Sequence, residues 1–317
     1  MVAGLTLAVV DVVDDAEWDE LSGRDPRAHG LLHPRALRCV TTAGWRPRWY
    51  EVRDSDGGLR AGLGCAVRSR GGLLTLVAGP GGLYGGPMAG PDDAQAEALL
   101  AEAFGHRDRL RVVHRELVWA RREPPRGDWS GLQALDAAVL DVDPHASFDR
   151  FLMDVVPKNR RNECNRSDRR GLRTEVHADA RALAEFHPLY VERCREWGTP
   201  PLSLELLTTL VDTVDQAMVF VTRDADDRLI GAHVCVDLGD ELFAWVGTTE
   251  RRKDVFPSTV LVREEARWCH RHGRSRLNLG SSIGRAGIER YKKRLGARWD
   301  RRWILDEDRR PWRRRSR

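Results

Sequence analysis

The chain has 317 residues, 41% of them apolar and 32% charged, with a net charge of +4. That balance belongs to a globular protein long enough for two domains and argues against a disordered one. No apolar run approaches the roughly 18 residues that a membrane-spanning helix needs, so no integral membrane association is expected.

The apolar N-terminus lacks a basic flank and is closed by Asp11. It predicts a strand over Leu5 to Val13 rather than a signal peptide, and hence a cytoplasmic location. Helices are expected from Asp15 to Ser22 and from His33 to Ala43, followed by a hairpin from Trp49 to Val67. Gly79 to Pro87 holds five glycines and two prolines in nine residues and is a loop. A helix from Pro91 to Gly105 opens on acidic residues, which suit its dipole. Strands from Val112 to Ala120 and Ala137 to Val142 come next. Asp143 to Ser147 is the expected boundary, because proline ends the strand and Ser147 can cap the next helix. It divides the chain into 1–145 and 146–317.

The second part opens with a helix from Phe148 to Val156 and a basic stretch broken at Gly171. A strand (Leu172 to Val176), a helix (Ala178 to Trp197) and a second helix (Ser203 to Asp212) succeed it. Next come a hairpin (Met218 to Val236), a strand (Glu241 to Thr248) and a helix from Ser258 to His272 behind Pro257. The chain closes with a strand (Arg274 to Leu279), a short helix (Gly287 to Leu295) and a strand (Trp299 to Leu305). Strands and helices alternating in this order predict an α/β (α+β) fold with mixed central sheets.

An internal repeat supports two tandem halves. Trp49 to Val67 and Met218 to Val236 share an apolar strand, Arg-Asp-x-Asp, a turn, a glycine and a second apolar strand. Arg53 to Gly62 is one position longer than Arg223 to Gly231, so a residue is expected to have been gained or lost in the turn.

Charge and chemistry concentrate in few places. Pro157 to Val176 carries seven basic residues against three acids, and the last seventeen residues carry eight arginines against Asp306, Glu307 and Asp308. Such concentrations fit phosphate contact. Lysine is scarce: only Lys158, Lys253, Lys292 and Lys293 occur. The six cysteines (Cys39, Cys65, Cys164, Cys194, Cys235, Cys269) stand singly, without the clustering of a zinc site or disulfide framework, and no metal site is expected. The segment from Leu279 to Trp299 runs from a strand through a Gly/Ser loop into a short helix. There Ile288, Tyr291 and Leu295 share an inward face and Lys292 lies at its edge, able to point into a cleft.

In this segment the chain resembles the Fem family of aminoacyl-tRNA-dependent peptidyl transferases. Tyr291-Lys292 stands where the family has a Phe-Lys pair after a Gly/Ser loop and before a glycine and the last strand. Tyr84-Gly-Gly-Pro87 is similar to a recurrent loop of the family's first half. Lys158-Asn-Arg-Arg161 through Arg169-Arg-Gly-Leu172 is similar to its basic helix, and Tyr190 to Pro200 to a Y-x-x-x-x-R-x-x-G-T-P pattern. The resemblance implies two tandem GNAT-like (acetyltransferase-type) domains, here without the coiled-coil arm of some members. It implies transfer of an amino acid from aminoacyl-tRNA to an amine acceptor, a peptidoglycan precursor or peptide-like natural product, with no bound cofactor. Lys292 would stabilise the oxyanion. Tyr291, Arg195, Tyr84, Trp245, Ser281 and Arg285 would bind substrate, and Lys158, Arg160, Arg161, Arg169, Arg170 and Lys293 the tRNA. Arg193 shares the neighbourhood of Arg195. The first half lacks the lysine that some members use on their precursor, so the acceptor stays open.

Two other readings remain. An N-acyltransferase using acetyl-CoA or another acyl-CoA would need an R/Q-x-x-G-x-G/A loop before the helix at Ser258, and none is present. A non-catalytic RNA-binding protein would use the basic stretch with Trp299, Trp303 and Trp312. His233 and His177 are possible bases, although lone strand histidines are more often structural. The oligomeric state is not legible.

Overall fold

A computed structural model describes residues 4–106, 111–282 and 284–310. Trp312 and the last arginines lie outside the described residues. The chain divides into two compact units, residues 1–135 with 301–317 and residues 136–300. Among the described residues no helix is long and apolar enough to cross a membrane.

The first unit begins β1 (Thr6–Val10), α1 (Asp15–Arg24), α2 (Pro34–Arg38), β2 (Arg46–Arg53), β3 (Leu59–Arg70) and β4 (Leu73–Ala78). It continues β5 (Pro87–Ala89), α3 (Ala94–His106), β6 (Val112–Trp119) and the start of β7 (Leu132–Asp141). The second unit takes the rest of β7 and then α4 (Phe148–Asp154), α5 (Lys158–Arg169), β8 (Arg173–His177), α6 (Arg181–Trp197), α7 (Leu204–Thr213) and β9 (Ala217–Arg223). After these come β10 (Leu229–Asp237), β11 (Glu241–Thr249), α8 (Pro257–Arg271), β12 (Arg276–Ser281), α9 (Ala286–Arg294) and β13 (Arg298–Asp308). Ser147 caps α4 through Arg150 N at 3.2 Å, and Ser203 caps α7 through Leu206 N at 3.2 Å, as the hydroxyl placement predicts.

Both units have the same strand plan, which is the tandem α/β arrangement that the repeat implied. The first is ordered β1-β2-β3-β4-β6-β13, with β5 also on β3; the second is β8-β9-β10-β11-β12-β7. One pair in each runs parallel, β4 with β6 and β11 with β12. The first core gathers Trp18, Leu63, Met88, Phe104 and Trp119; the second gathers Phe151, Phe220, Leu242, Leu261 and Leu277.

Two boundaries differ from the sequence reading. The chain passes from one unit to the other near Asp136, not at 145/146, because β7 pairs with β12 of the second unit (Leu140 opposite Leu277). The last strand returns to the first unit, where Trp303 to Asp308 pair with Trp119 to His114 of β6. Each half thus ends on a strand that completes the other half's sheet, an exchange that local pattern cannot reveal.

The repeated hairpins correspond closely, and the length difference lies outside their turns. Each turn has five residues, 54–58 and 224–228. Asp54 Oδ1 accepts from the amides of Asp56 (3.1 Å) and Gly58 (2.8 Å), and Asp224 Oδ1 from those of Asp226 and Arg228 (both 3.1 Å). Arg53 binds the Gly57 carbonyl and both Glu17 oxygens, while Arg223 binds the Asp227 carbonyl and both Glu185 oxygens. Both turns need a left-handed residue, Gly57 (φ 86°) and Asp227 (φ 65°). Gly231 faces Thr222 as Ala61 faces Val52, so the two glycines of the motif are one position out of register. Gly62 instead makes room for the Trp18 ring.

Candidate active site

Strands β11 and β12 start out paired, Glu241 to Phe243 against Arg276 to Asn278, and then part. β12 continues along β7 with an irregularity between Asn278 and Ser281, while β11 stays paired with β10 through Ala244 and Val246 to Thr249, Trp245 being the extra residue of a bulge. A local cause is visible at the turning point. Gly280 adopts the left-handed conformation (φ 71°), its amide held by Asn278 Oδ1 at 2.8 Å. Asn278 Nδ2 in turn donates to the buried Glu241 carboxylate at 2.9 Å. Past the parting, β11 runs on through Trp245 and Gly247, and β12 through Gly280 and Ser281.

Helix α9 comes after that loop and turns its apolar face to the second core. Leu295 is buried, and Tyr291 packs beside it with its hydroxyl donating to Ser258 O at 3.4 Å. Burial pushes the Tyr291 phenol up to about 12. Gly296 ends the helix at φ 97°, where a Cβ would collide with the Val155 carbonyl. The glycine behind the lysine pair therefore has a steric reason.

Lys292 is only 7% exposed. Its ammonium donates to Gly280 O at 2.9 Å and Ser281 O at 3.0 Å, the two carbonyls at the end of β12. Burial pushes it down to about 8, so at neutral pH it remains a cation. An ammonium has three hydrogens. Two are committed to carbonyls, and among the described residues the third has no partner. A fixed cation with one donor to spare is what a developing oxyanion requires.

The other expected site residues are spread over both units. Trp245 is half-buried on the part of β11 that β12 has left, Ser281 is half-buried beside Lys292, and Arg285 is exposed just before α9. Tyr84 is buried in the first unit, in the glycine-rich loop after β4. Arg195 is exposed on α6, whereas Arg193 is buried, reaching Thr248 Oγ1 and the Thr249 carbonyl of β11, both at 3.3 Å, and pairing with Glu196. On α5, Arg160 is tied to Glu163, and Arg161 binds the carbonyls of Leu152, Met153 and Val156 at the end of α4. Lys158, Arg169, Arg170 and, on α9, Lys293 are exposed. A cavity of about 480 Å³ lies among α4, α5 and α8, its wall including Leu295 at the end of α9.

From the sequence, His233 is a lone strand histidine. In the fold its Nδ1 lies 2.6 Å from Oε1 of Glu265, a fully buried carboxylate on α8. The two are 32 positions apart and on different elements, so no local signal joins them. His177 lies beside the Glu175 carboxylate at 3.5 Å on β8, the outermost strand of its sheet.

Residues 158–293 match the family described as the acetyltransferase (GNAT) domain. Over nearly the whole chain the fold is similar to that of FemX, with 11% identity and a TM-score of 0.69 across 95% of this chain and 97% of that one. It is also similar to L-PGS from Bacillus licheniformis, with 14% identity and a TM-score of 0.58 over 94% of this chain and 92% of that one. A tandem GNAT protein from the clavulanic acid biosynthesis pathway shares 15% identity and a TM-score of 0.51 over 96% and 98% of the two chains. No curated protein matches the chain by sequence. At such identities the likeness is one of fold: a Fem-like fold of two tandem GNAT-type halves.

Proposed function

We propose that this protein is an aminoacyltransferase that moves an amino acid from aminoacyl-tRNA to an amine acceptor, with Lys292 stabilising the oxyanion. The observation that carries the reading is the buried Lys292 ammonium at the parting of β11 and β12, fixed by two carbonyls and, among the described residues, with no partner for its third hydrogen. The amine attacks the ester carbonyl, the C–N bond forms, and the carbonyl electron pair moves onto oxygen beside the ammonium. Collapse breaks the bond to the ribose oxygen and leaves an amide. None of these steps asks for a nucleophilic side chain.

Two further features support a tRNA donor. The segment before α8, Glu250 to Phe256, contains no glycine and crowds cationic and acidic side chains into Glu250 to Asp254, unlike a loop that cradles a pyrophosphate with backbone amides. The exposed Lys158, Arg169, Arg170 and Lys293 supply cations for a phosphate backbone. The likeness in fold to FemX and L-PGS agrees with this donor class. A peptidoglycan precursor or peptide-like natural product fits as acceptor, and the cytoplasm as the place of reaction.

Equilibrium binding of charged tRNA and of acetyl-CoA, side by side at near-physiological salt, tests the donor. Specific binding of charged tRNA without acetyl-CoA is the expected result. Tight acetyl-CoA binding with only salt-sensitive RNA affinity overturns the tRNA reading in favour of an acyl-CoA-dependent N-acyltransferase. RNA binding unaccompanied by transfer to any amine would make the protein a binding module.

A further inference from the structure

His233 and Glu265 form a paired acid and base next to the part of β11 that β12 has left. Glu265 Oε1 accepts from His233 Nδ1 at 2.6 Å, while Glu265 Oε2 is buried without a hydrogen-bond partner. Cys235 Sγ also donates to Oε1, at 3.7 Å, so both bonds fall on one oxygen, and a positive charge on the imidazole would offset the buried charge that Oε2 shares. The ring lies across β11 at Gly247, its cross-strand partner: a Cβ at that position would fall within the ring, 2.6 Å from Nε2. Gly247 therefore lets the imidazole reach over the lip of β11 that β12 has left. With the Nδ1 proton committed to the carboxylate, the lone pair sits on Nε2. The side chain keeps 18% of its surface exposed, and among the described residues Nε2 has no hydrogen-bond partner.

We infer that His233, oriented by Glu265, is the proton acceptor for the attacking amine. The inference rests on the amine attack proposed for this site, whichever donor carries the acyl group. As the neutral amine attacks, the C–N bond forms and the carbonyl pair moves to oxygen beside Lys292; Nε2 takes a proton from the attacking nitrogen, which has become positively charged. The imidazolium, paired with Glu265, returns it to the ribose oxygen when the C–O bond breaks, so no net proton is consumed. The other titratable groups near the carboxylate stay neutral across an assay range around neutrality. Cys235 on the same strand, Cys269 on α8 and Tyr291 on α9 are all pushed up by burial. Arg160 and Glu163 of α5 act on Tyr291 but are paired with each other.

The test is the pH dependence of single-turnover transfer from tRNA charged with labelled amino acids to a short lysine-containing peptide. Wild type, His233→Gln and Glu265→Gln are compared. The wild type should show an acid limb set by His233. His233→Gln should lower the plateau by about 10²–10³-fold and erase that limb. Glu265→Gln should give an intermediate plateau, because Nε2 keeps its place while the imidazolium loses its counter-charge. The same point is read without a variant, from the NMR titration of the His233 Cε1 proton in the wild type, which should track the kinetic limb. A His233→Gln rate within about threefold of wild type with its acid limb intact overturns the inference, as does an NMR midpoint more than about one unit from the limb. If charged tRNA gives no transfer, the series is repeated with acetyl-CoA: the donor reading then falls while His233 is judged on the same limb. Transfer from neither donor overturns both.

Discussion

Two parallel strand pairs hold the same place in their sheets and end differently. β4 and β6 stay paired to the end of β4, with Leu74 to Ala78 against Val112 to Leu117. The glycine-rich loop then extends the seam, Gly85 N donating to Val118 O at 2.9 Å and Gly86, at φ 153°, lying against the Trp119 ring. β11 and β12 part after three residue pairs. Beyond β6, residues 120–131 form no helix among the described residues, whereas β12 leads into α9 and Lys292. The first half, before Lys158, contains no lysine at all. One plan thus ends in a loop in one copy and in a parting of strands beside a buried cation in the other, and the proposed chemistry uses the second.

That contrast can be broken most sharply at the cation. Lys292→Met should lower transfer by about 10²–10³-fold while charged tRNA still binds, since only the oxyanion donor is removed. Single-turnover rates and filter binding read the two effects. Loss of binding together with transfer would mean that Lys292 holds substrate rather than the oxyanion.

Glycines at the two seams give the next effect. Gly86→Ala and Gly247→Ala should each cost about 1–3 kcal/mol, because each Cβ meets a ring that must move. Thermal or urea unfolding measures both. Gly247→Ala alone should also slow transfer per folded molecule, about tenfold, because it displaces His233. Equal slowing by both would erase the distinction between the closed and open copies.

A smaller effect comes from pH. Burial holds Lys292 near 8, so its cation is present below that value and lost above it. The transfer rate should fall about tenfold per unit once pH rises past this point. In the unfolded chain this lysine keeps its proton to higher pH. The folded state therefore carries the penalty of the buried charge below about 8 and is relieved of it as pH rises, so the Lys292 contribution to stability increases with pH there. Lys292→Met should remove both trends, as rate profiles and unfolding on either side of that value would show.

The smallest expected effects fall on the duplicated turns. Asp54→Ala and Asp224→Ala each remove two backbone hydrogen bonds of the same pattern, and each should cost about 1 kcal/mol by urea unfolding. Markedly unequal costs would mean that the two hairpins are alike in geometry but not in energetics.

Local signals in the chain were sufficient for most of the elements and for the doubling, although not for the short β5 that pairs with β3. Ser147 and Ser203 announced their helices, the Arg-Asp-x-Asp turns announced a duplicated hairpin, and the Gly/Ser loop before Tyr291-Lys292 pointed to the opening in the second half. These are short-range facts, written in caps, turn residues and periodicity. What tertiary structure decided was long-range. The exchange of β7 and β13 depends on pairing between strands more than 100 positions apart. Burial of Lys292 depends on carbonyls 11 and 12 positions away in a turned strand. The choice of Arg193 over Arg195 to face β11 depends on which side of α6 meets the sheet. The joining of His233 to Glu265 depends on α8 packing over β10. None of these leaves a periodic trace, because a hydrogen bond between distant elements constrains two residues and leaves their neighbours in sequence free.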